Sequence, residues 1–504
     1  MSPTRRAWLM VGIMAATLMQ VLDTTIANVA LPHMQSSLDA SQDTISWVLT
    51  SYIVASAIAM PLTGWLADRV GARRLMIGCV VAFTVASILC GIATNLTEMV
   101  LFRAIQGVTG AFISPLAQAQ MVSINPPDRQ ARAMSIWGMA VMIGPITGPL
   151  IGGWLTENFD WRWCFFVNLP VGIGAAALLW LLLPDSRSSG RTLDKTGFIL
   201  LAIGLVALQL MLDRGQQEDW FDSPEIWLEL AVMAAALWMF AVHLVFARAP
   251  LFSRAILLDR NFAPAMVFMA IVGVIMMAVM ALLPPMLQTL FNYSVLDTGW
   301  VLMPRGVGIL VTMFVAGRVA GKLDARILVA LGLIIASFSL WEMTGWSLAV
   351  DRTHFVITGF IQGLGLGFLF IPLNLLAFTS LPPSARTEGA SLLNLTRSIG
   401  SSVGISIVTA ETARSVQTNH QELGEALSVT RVPYIGREIL GQLGSTADSV
   451  YAGLNAEVNR QALMISYLND FHLMMWVPLV ALPLLFLLRA ATPGGKADPA
   501  AAGH

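Results

Sequence analysis

Long apolar runs separated by short polar turns fill most of the chain, and this pattern predicts membrane-spanning helices. A spanning helix needs about 20 mostly apolar residues. Fourteen runs meet that length, and they lie near 8–31, 45–67, 75–94, 97–122, 133–155, 163–183, 196–212, 226–246, 263–290, 298–317, 327–346, 354–379, 388–411 and 470–489. We therefore expect an all-α polytopic membrane protein with fourteen transmembrane helices.

Parts of the fourth and fifth runs recur later in the chain at a constant offset of 256 residues (361 minus 105). The matched positions are Ile105-Gln106-Gly107 with Ile361-Gln362-Gly363, Pro126-Pro127 with Pro382-Pro383, Ser135 with Ser391, Gly144 with Gly400, and Gly148 with Gly404. Parallel repeats are one of the symmetries on which secondary transporters are built. The offset therefore predicts two six-helix bundles, with the seventh and eighth helices as an inserted pair.

These bundles imply a division of the chain into four parts. Residues 1–184 form the N-terminal bundle, and residues 185–261 carry the inserted pair with its flanking loops. Residues 262–490 form the C-terminal bundle, and residues 491–504 form a tail. Within the second bundle, residues 412–469 form the longest polar stretch. We expect this stretch to be an outer loop with amphipathic helical runs.

The composition agrees with a membrane protein and gives no sign of an enzyme. The chain has 504 residues, of which 56% are hydrophobic and 12% charged, whereas soluble proteins carry about 25% charged residues. We find no P-loop and no HExxH motif, and the cysteines fall in apolar runs, so no cofactor or metal site is predicted. Most Lys and Arg residues lie in loops on the side of the N-terminus. The positive-inside rule therefore places both termini in the cytoplasm.

The turn between the second and third runs carries the first specific motif. It reads Gly64-Trp65-Leu66-Ala67-Asp68-Arg69-Val70-Gly71-Ala72-Arg73-Arg74 and resembles the loop signature of the major facilitator superfamily. The resemblance implies a cytoplasmic latch made by Gly64, Asp68, Arg69, Gly71 and Arg73, in which the arginines pair with Asp68 or with helix C-termini. Ordinary positive-inside charge is the alternative. Residues 317–326 contain a degenerate second copy of the motif, in which the positions of Gly71, Arg73 and Arg74 are not preserved, so the sequence does not predict an equivalent second latch.

Ionisable residues inside the apolar runs are the candidates for proton coupling. Asp23 lies in the middle of the first helix, where its ionised form must be paired, hydrated or replaced by the protonated acid. A carboxyl group that alternates between these states can carry a proton, although a purely structural hydrogen bond is the alternative. Arg103 lies in the family pattern R-x-x-Q-G and supplies a fixed charge, and Arg397 is its candidate counterpart in the second half. Arg305 lies near the outer end of its helix, where it could snorkel, and it is therefore a weaker candidate.

The fifth run contains glycines spaced four residues apart, which places them on one face of a helix. Gly144, Pro145, Gly148 and Gly152 resemble the motif of the superfamily's antiporters. We expect the glycines to let a helix of the other half approach closely, with a generic packing face as the alternative.

The whole chain then resembles the fourteen-helix drug:proton antiporters of the superfamily, the EmrB/QacA group. The segments 161–170 and 212–221, the helix count and the long final outer loop carry this match. It implies a proton-driven exporter of hydrophobic drugs in the bacterial inner membrane. It also implies alternating access and two partners, an EmrA-like membrane-fusion protein and a TolC-like outer-membrane channel. A facilitator for a single metabolite and, less favoured, a membrane-embedded enzyme or sensor are the alternatives.

Soft apolar and amide side chains are the candidates for contact with hydrophobic substrates. The candidates for a central cavity are Gln20, Gln106, Trp137, Met142, Gln288, Phe370 and Asn374. Ordinary packing or contact with lipid is the alternative for each of them. We expect residues 412–469 to contact the membrane-fusion protein.

Overall fold

The structure is a computed structural model that describes residues 2–185, 192–319, 323–426 and 447–488. These ranges contain fourteen long helices, which we label α1 to α14 in chain order. Their bounds are Pro3–Ser37, Trp47–Val70, Ala72–Ile92, Leu96–Ile124, Pro127–Asn158, Trp163–Leu182, Lys195–Arg214, Pro224–Phe246, Phe262–Leu290, Val295–Val319, Ala325–Thr344, Arg352–Thr379, Arg386–Ala426 and Ala447–Ala481. The predicted all-α polytopic fold is confirmed.

One of the fourteen helices differs from the others in polarity. In the described ranges, 13 helices are long and apolar enough to cross a membrane, and α13 is the exception among the long ones. Glu388, Ser391 and Asn394 on α13 are all buried inside the bundle. The predicted thirteenth span therefore exists as a helix, but it is polar because much of its surface faces other helices rather than lipid.

Local sequence signals explain where several helices begin and end. The side chain of Ser2 caps α1 by accepting from the N–H of Arg5, and Asn95 caps α4 by accepting from the N–H of Glu98 at 2.9 Å. Gly71 has φ 93° and joins α2 directly to α3. Since this conformation is easily adopted only by glycine, Gly71 fixes the sharp turn inside the 64–74 motif.

The helices pack in two groups, with the inserted pair beside them. Helix α1 packs on α5 and α6, and α2 packs on α4; in the second half α9 packs on α13, and α10 on α12. Helix α7 contacts both α2 and α13, whereas α8 packs on α7 and is otherwise largely exposed. This arrangement supports the predicted organisation into two bundles and an inserted pair. The exact division at 184, 261 and 490 stays a prediction, and the tail 491–504 lies outside the described residues.

Most of the predicted outer loop 412–469 is not a loop. Helix α13 continues to Ala426 and α14 begins at Ala447, so the flanking helices themselves extend into this region. The two extensions pair with each other: the Asn419 amide donates to the Ser466 hydroxyl at 3.1 Å, and His420 Nε2 lies 3.0 Å from Asn455 Oδ1. The expectation of helical structure here is confirmed for the described parts, while residues 427–446 lie outside them.

Candidate functional site

Asp23 and Arg103 form a buried ion pair in the interior of the first bundle. Asp23 Oδ2 lies 2.7 Å from Arg103 Nη1, and the side chains are 0% and 1% exposed. Asp23 Oδ1 accepts one hydrogen bond from the amide of Gln106 and one from the amide of Asn168, both at 2.7 Å. Helices α1, α4 and α6 supply the carboxylate and its hydrogen-bond donors, and α2 adds contacts to Arg103 through Val48 and Tyr52.

The guanidinium of Arg103 is held on several sides. Its Nε donates to the carbonyl of Val48 at 3.2 Å, and its Nη1 also donates to Gln106 Oε1 at 2.7 Å. Its carbon atom Cζ lies 4.5 Å from the ring centre of Tyr52 and 5.8 Å from that of Phe165. Aromatic faces attract a cation, so these contacts stabilise the charge away from water.

Two members of this cluster were missed from the sequence. Asn168 also donates to the Ser87 hydroxyl at 2.8 Å, and Ser87 donates to the carbonyl of Phe165 at 2.9 Å. Asn168 lies within the segment 161–170, which carries part of the family resemblance, so this resemblance could have identified it as a candidate. Ser87 lies in an apolar run with no motif around it, so no sequence signal distinguishes it from other serines.

The glycine face of α5 packs against α1 of its own half, and the expectation that it receives a helix of the other half is wrong. A side-chain carbon added at Gly144 would lie 2.6 Å from Val21 Cγ1, and one added at Gly152 would lie 3.3 Å from Ile26 Cγ2. A carbon added at Gly148 would overlap the hydroxyl of Thr25. Because Thr25 is two residues from Asp23, this close contact positions the helix segment that carries the carboxylate.

The close approach between the halves depends instead on glycines of α10. A carbon added at Gly299 would lie 2.6 Å from Leu150 Cδ2, and one added at Gly306 would overlap Ile146. Nearer the start of α5, the hydroxyl of Ser135 donates to the carbonyl of Met313 at 2.6 Å. At Gly299 and Gly306 the small residues therefore lie on α10, and α5 contributes the larger side chains Leu150 and Ile146.

A chain of amides crosses between the halves. Gln118 on α4 donates to Asn374 Oδ1 on α12, and Asn394 on α13 donates to Gln118 Oε1 at 2.7 Å. Gln118 and Asn374 are separated by 256 residues, so they occupy equivalent positions of the repeat. Arg397 is joined to this amide chain because its Nη2 donates to Asn394 Oδ1 at 3.2 Å. Within the described residues, the side-chain partner of Arg397 is therefore an amide, whereas that of Arg103 includes a carboxylate.

The 64–74 motif lies at the same end of the bundle as the amide chain, where α2, α4 and α12 end. A carbon added at Gly64 would lie 3.0 Å from Cβ of Glu388, so the motif touches α13 of the other half. Arg73 forms an ion pair of 2.5 Å with Asp185 and donates to the carbonyl of Trp180 at 2.6 Å, near the C-terminal end of α6. This arginine therefore takes a helix C-terminus as a partner, one of the two arrangements considered from the sequence.

The cavity candidates fall in three different environments. Trp137, Met142, Phe370 and Asn374 are buried, and Trp137 stacks on Phe370 across the halves with 6.2 Å between ring centres. Gln20 is half-buried and accepts from Ser114 at 2.5 Å, while Gln288 is exposed. Gln106 belongs to the Asp23 cluster and is 0% exposed. The structure therefore separates Gln106 and Gln288 from the group between the halves.

Arg305 does not snorkel. The residue is 4% exposed, and its side chain turns inward, where Nη2 donates to the carbonyl of Met276 at 3.2 Å. The alternative considered from the sequence, snorkelling, is not observed, and α12 packs closely against α10 at this level.

Comparisons with known proteins agree with this architecture. Residues 13–405 match the family model of the Major Facilitator Superfamily. The chain is 32% identical to the "Multidrug export protein EmrB" of Escherichia coli (strain K12), covering 98% of this chain and 97% of that protein. It is also 32% identical to the "Fatty acid resistance protein FarB" of Neisseria gonorrhoeae, covering 96% of each.

The solved structure of the proton:xylose symporter XylE superposes with a TM-score of 0.60 at 13% identity, covering 94% of this chain and 95% of that one. At that identity the likeness concerns the fold alone. The family match covers more than half of the chain, and the similarity to EmrB runs over nearly its full length. The chain therefore belongs to the Major Facilitator Superfamily, and it is a multi-pass membrane transporter rather than an enzyme.

Proposed function

We propose that this protein exports hydrophobic drug-like compounds in exchange for protons, by alternating access between the two bundles. The observation that carries the proposal is the buried cluster of Asp23, Arg103, Gln106 and Asn168. The names of two relatives, a multidrug export protein and a fatty acid resistance protein, support export of apolar compounds as the task.

The cluster has the chemistry of a proton-exchange site. In its ionised form Asp23 receives three hydrogen bonds, one of them from a guanidinium. When the carboxyl takes up a proton it loses the charge attraction to Arg103, and one oxygen becomes a donor facing groups that also donate. Protonation therefore weakens the bonds that join α1 to α4 and α6. Arg103 keeps its charge throughout, so the carboxyl alone changes state.

The α5 glycine contact provides a mechanical connection from this site to the interface. Helix α1 lies against the glycine face of α5, and α5 in turn packs against α10 of the other half. A shift of α1 after protonation is passed to α5 because the contact at Gly144 and Gly148 leaves no free space between the helices. The proposed rocking motion then exposes Trp137 and Phe370 to substrate.

The orientation and setting are part of the same proposal. Both termini are cytoplasmic by the positive-inside rule, in a bacterial inner membrane. In this orientation the 64–74 motif and the amide chain through Gln118 close the cytoplasmic side of the interface. The paired extensions of α13 and α14 then project on the outer side, where we propose that they dock an EmrA-like membrane-fusion protein connected to a TolC-like outer channel.

Uptake of a fluorescent hydrophobic drug into inverted membrane vesicles tests the transport proposal. An imposed proton gradient should drive accumulation by the wild type, and a protonophore should abolish it. The Asp23→Asn variant should lose gradient-driven accumulation, since an amide at this position cannot exchange a proton. Full accumulation by this variant under the same gradient would remove Asp23 from the mechanism.

A further inference from the structure

The second bundle buries a positive charge, on Arg305, that no side chain of the described residues neutralises. Arg305 is 4% exposed, and its Nε and Nη1 have no hydrogen-bond partner in the described parts of the chain. No neighbouring charge in those parts offsets it. A buried cation without a partner is costly inside a membrane bundle, and such residues mark sites where an ion or substrate binds.

The helices that surround Arg305 cannot supply the missing carboxylate. Helices α9 and α12 contain no Asp or Glu, and the only acid of α10 is Asp297, two helical turns away at its first residues. Helix α5, which contacts α10 at Ile146, carries its acids Asp128 and Glu157 at its two ends, where both are exposed. Asp297 is engaged locally, since its Oδ2 accepts from the Ser294 hydroxyl at 2.7 Å. A negative charge at this level must therefore come from outside the bundle.

A second unsatisfied polar group lies at the same helix crossing. Gln362 is 0% exposed, and neither its amide nitrogen nor its amide oxygen has a partner in the described residues. The next residue, Gly363, lies so close to α10 that an added side-chain carbon would overlap the carbonyl oxygen of Arg305. Arg305 and Gln362 thus both have buried N–H groups without an acceptor among the described residues, on two helices that cross here.

The repeat shows what this site lacks. Gln362 occupies the position of Gln106, which in the first bundle donates to Asp23 and accepts from Arg103. The position of Asp23 itself is occupied by Val279, one helical turn from Met276, whose carbonyl accepts from Arg305. The position of Arg103 is occupied by Gly359, and a cation comes instead from Arg305 on the neighbouring helix, whose Cβ lies 3.7 Å from a carbon added at Gly359. The second bundle therefore has an amide and a cation at this level, with an apolar side chain in the position of the carboxylate.

We propose that Arg305 and Gln362 form a binding site for the carboxylate of an amphipathic ligand, whose acid group takes the place that Asp23 occupies in the first bundle. The apolar surroundings suit a ligand with a long hydrocarbon part. Gly306, adjacent to Arg305, contacts Ile146 of the other half, so the site lies beside the interface that opens during transport. The inference rests on the proposed export function and specifies one substrate class for it, acidic amphiphiles.

Equilibrium binding of two matched probes tests this assignment. The probes are dodecanoate and dodecyltrimethylammonium, which share a chain length and differ in charge, and the protein is the full chain in lipid nanodiscs. Loss of a hydrogen bond to a charged group costs about 1.5–3 kcal/mol, which corresponds to about a 10- to 160-fold weaker affinity. We expect Arg305→Gln to weaken dodecanoate binding by that factor and to leave binding of the cation unchanged.

Further variants keep the test decisive if Arg305→Gln does not fold. Val279→Asp retains the arginine and supplies an internal carboxylate, so it should abolish dodecanoate binding while raising the melting temperature. Arg305→Lys should retain part of the affinity. Arg318→Gln removes a charge from the same helix near its other end and should change neither probe's binding.

Several results would overturn the proposal. These are equal losses for both probes, no loss in Arg305→Gln, or unaltered dodecanoate binding in Val279→Asp. A phospholipid that copurifies with the wild type but not with Arg305→Gln, with dodecanoate affinity unchanged, would assign the site to a lipid phosphate instead. Proton-driven export of the cation by the wild type is measured separately, so failure of the transport proposal is distinguished from failure of this one.

Discussion

The ion pair of Asp23 and Arg103 predicts a specific pattern of stability in single and double variants. Removing one partner of a buried pair costs about 3–5 kcal/mol, because it leaves the other charge uncompensated. Asp23→Leu should lie at the upper end of this range, since the remaining guanidinium cannot lose its proton. Arg103→Met should cost less, since the remaining carboxyl can become neutral by taking up a proton.

The double variant Asp23→Leu/Arg103→Met should recover much of that loss. No charge is left buried, and apolar residues of similar size often replace a buried pair with little cost. We therefore expect the double variant to be more stable than either single variant. Relative to Asp23→Leu, its free energy of unfolding should be higher by about 2–4 kcal/mol. Transport should nevertheless be absent, because no group at this position exchanges a proton.

Thermal and denaturant unfolding of the purified protein in nanodiscs gives the stabilities, and proteoliposomes with a pH gradient give transport. The exposed pair of Asp160 and Arg162 is a matched control, with side chains 48% and 33% exposed. Breaking it with Asp160→Asn should cost less than about 1 kcal/mol, because solvent screens exposed pairs. Losses that simply add in the double variant, or proton-driven transport by it, would contradict the reasoning.

Three further predictions test the remaining contacts. Gly148→Ala should give protein that inserts into the membrane but does not transport, because the added carbon overlaps α1. Gly78→Ala is the control, since no atom lies within 4 Å of its added carbon, and equal transport rates for the two variants would disprove the role of the contact. Gln118→Leu and Asn374→Leu each break the amide chain, so each should raise the accessibility of cysteines introduced at the interface to a cytoplasmic thiol reagent. Unchanged labelling would show that the amide chain does not hold the two halves together. A cysteine at the exposed position Asn459 should cross-link to a membrane-fusion partner in cells, and the absence of any cross-link along both helix extensions would contradict docking there.

The sequence could predict the fold because the membrane restricts it to apolar helices. Segments of sufficient length and hydropathy are forced to span, since backbone groups have no partner other than their own helix in lipid. The same reasoning underestimated the helices at α13 and α14. Polar residues there, such as Asn419 and Ser466, pair with each other, so the helices continue where hydropathy predicts that they end.

The sequence also indicated the chemistry at Asp23 and Arg103, because a charge within an apolar run is unfavourable and therefore has a reason to be there. It could not assign their partners, as Ser87 and Asn168 resemble many other polar residues until the helices are packed. The glycine face of α5 shows the same limit. Periodicity identifies a face for close contact, but only the packing determines that α1 occupies it and that α10 carries the glycines between the halves.

What the sequence by itself determined is the set of helices, the 256-residue repeat and the positions of charges within apolar runs. These are properties of single segments, and each follows from hydropathy or spacing along the chain. What only the tertiary structure decided is which of those charges is neutralised. Arg103 meets Asp23 across 80 residues of chain, whereas Arg305 meets no carboxylate in the described residues. Burial and pairing depend on which helices lie side by side, and that is fixed by packing between segments distant in sequence.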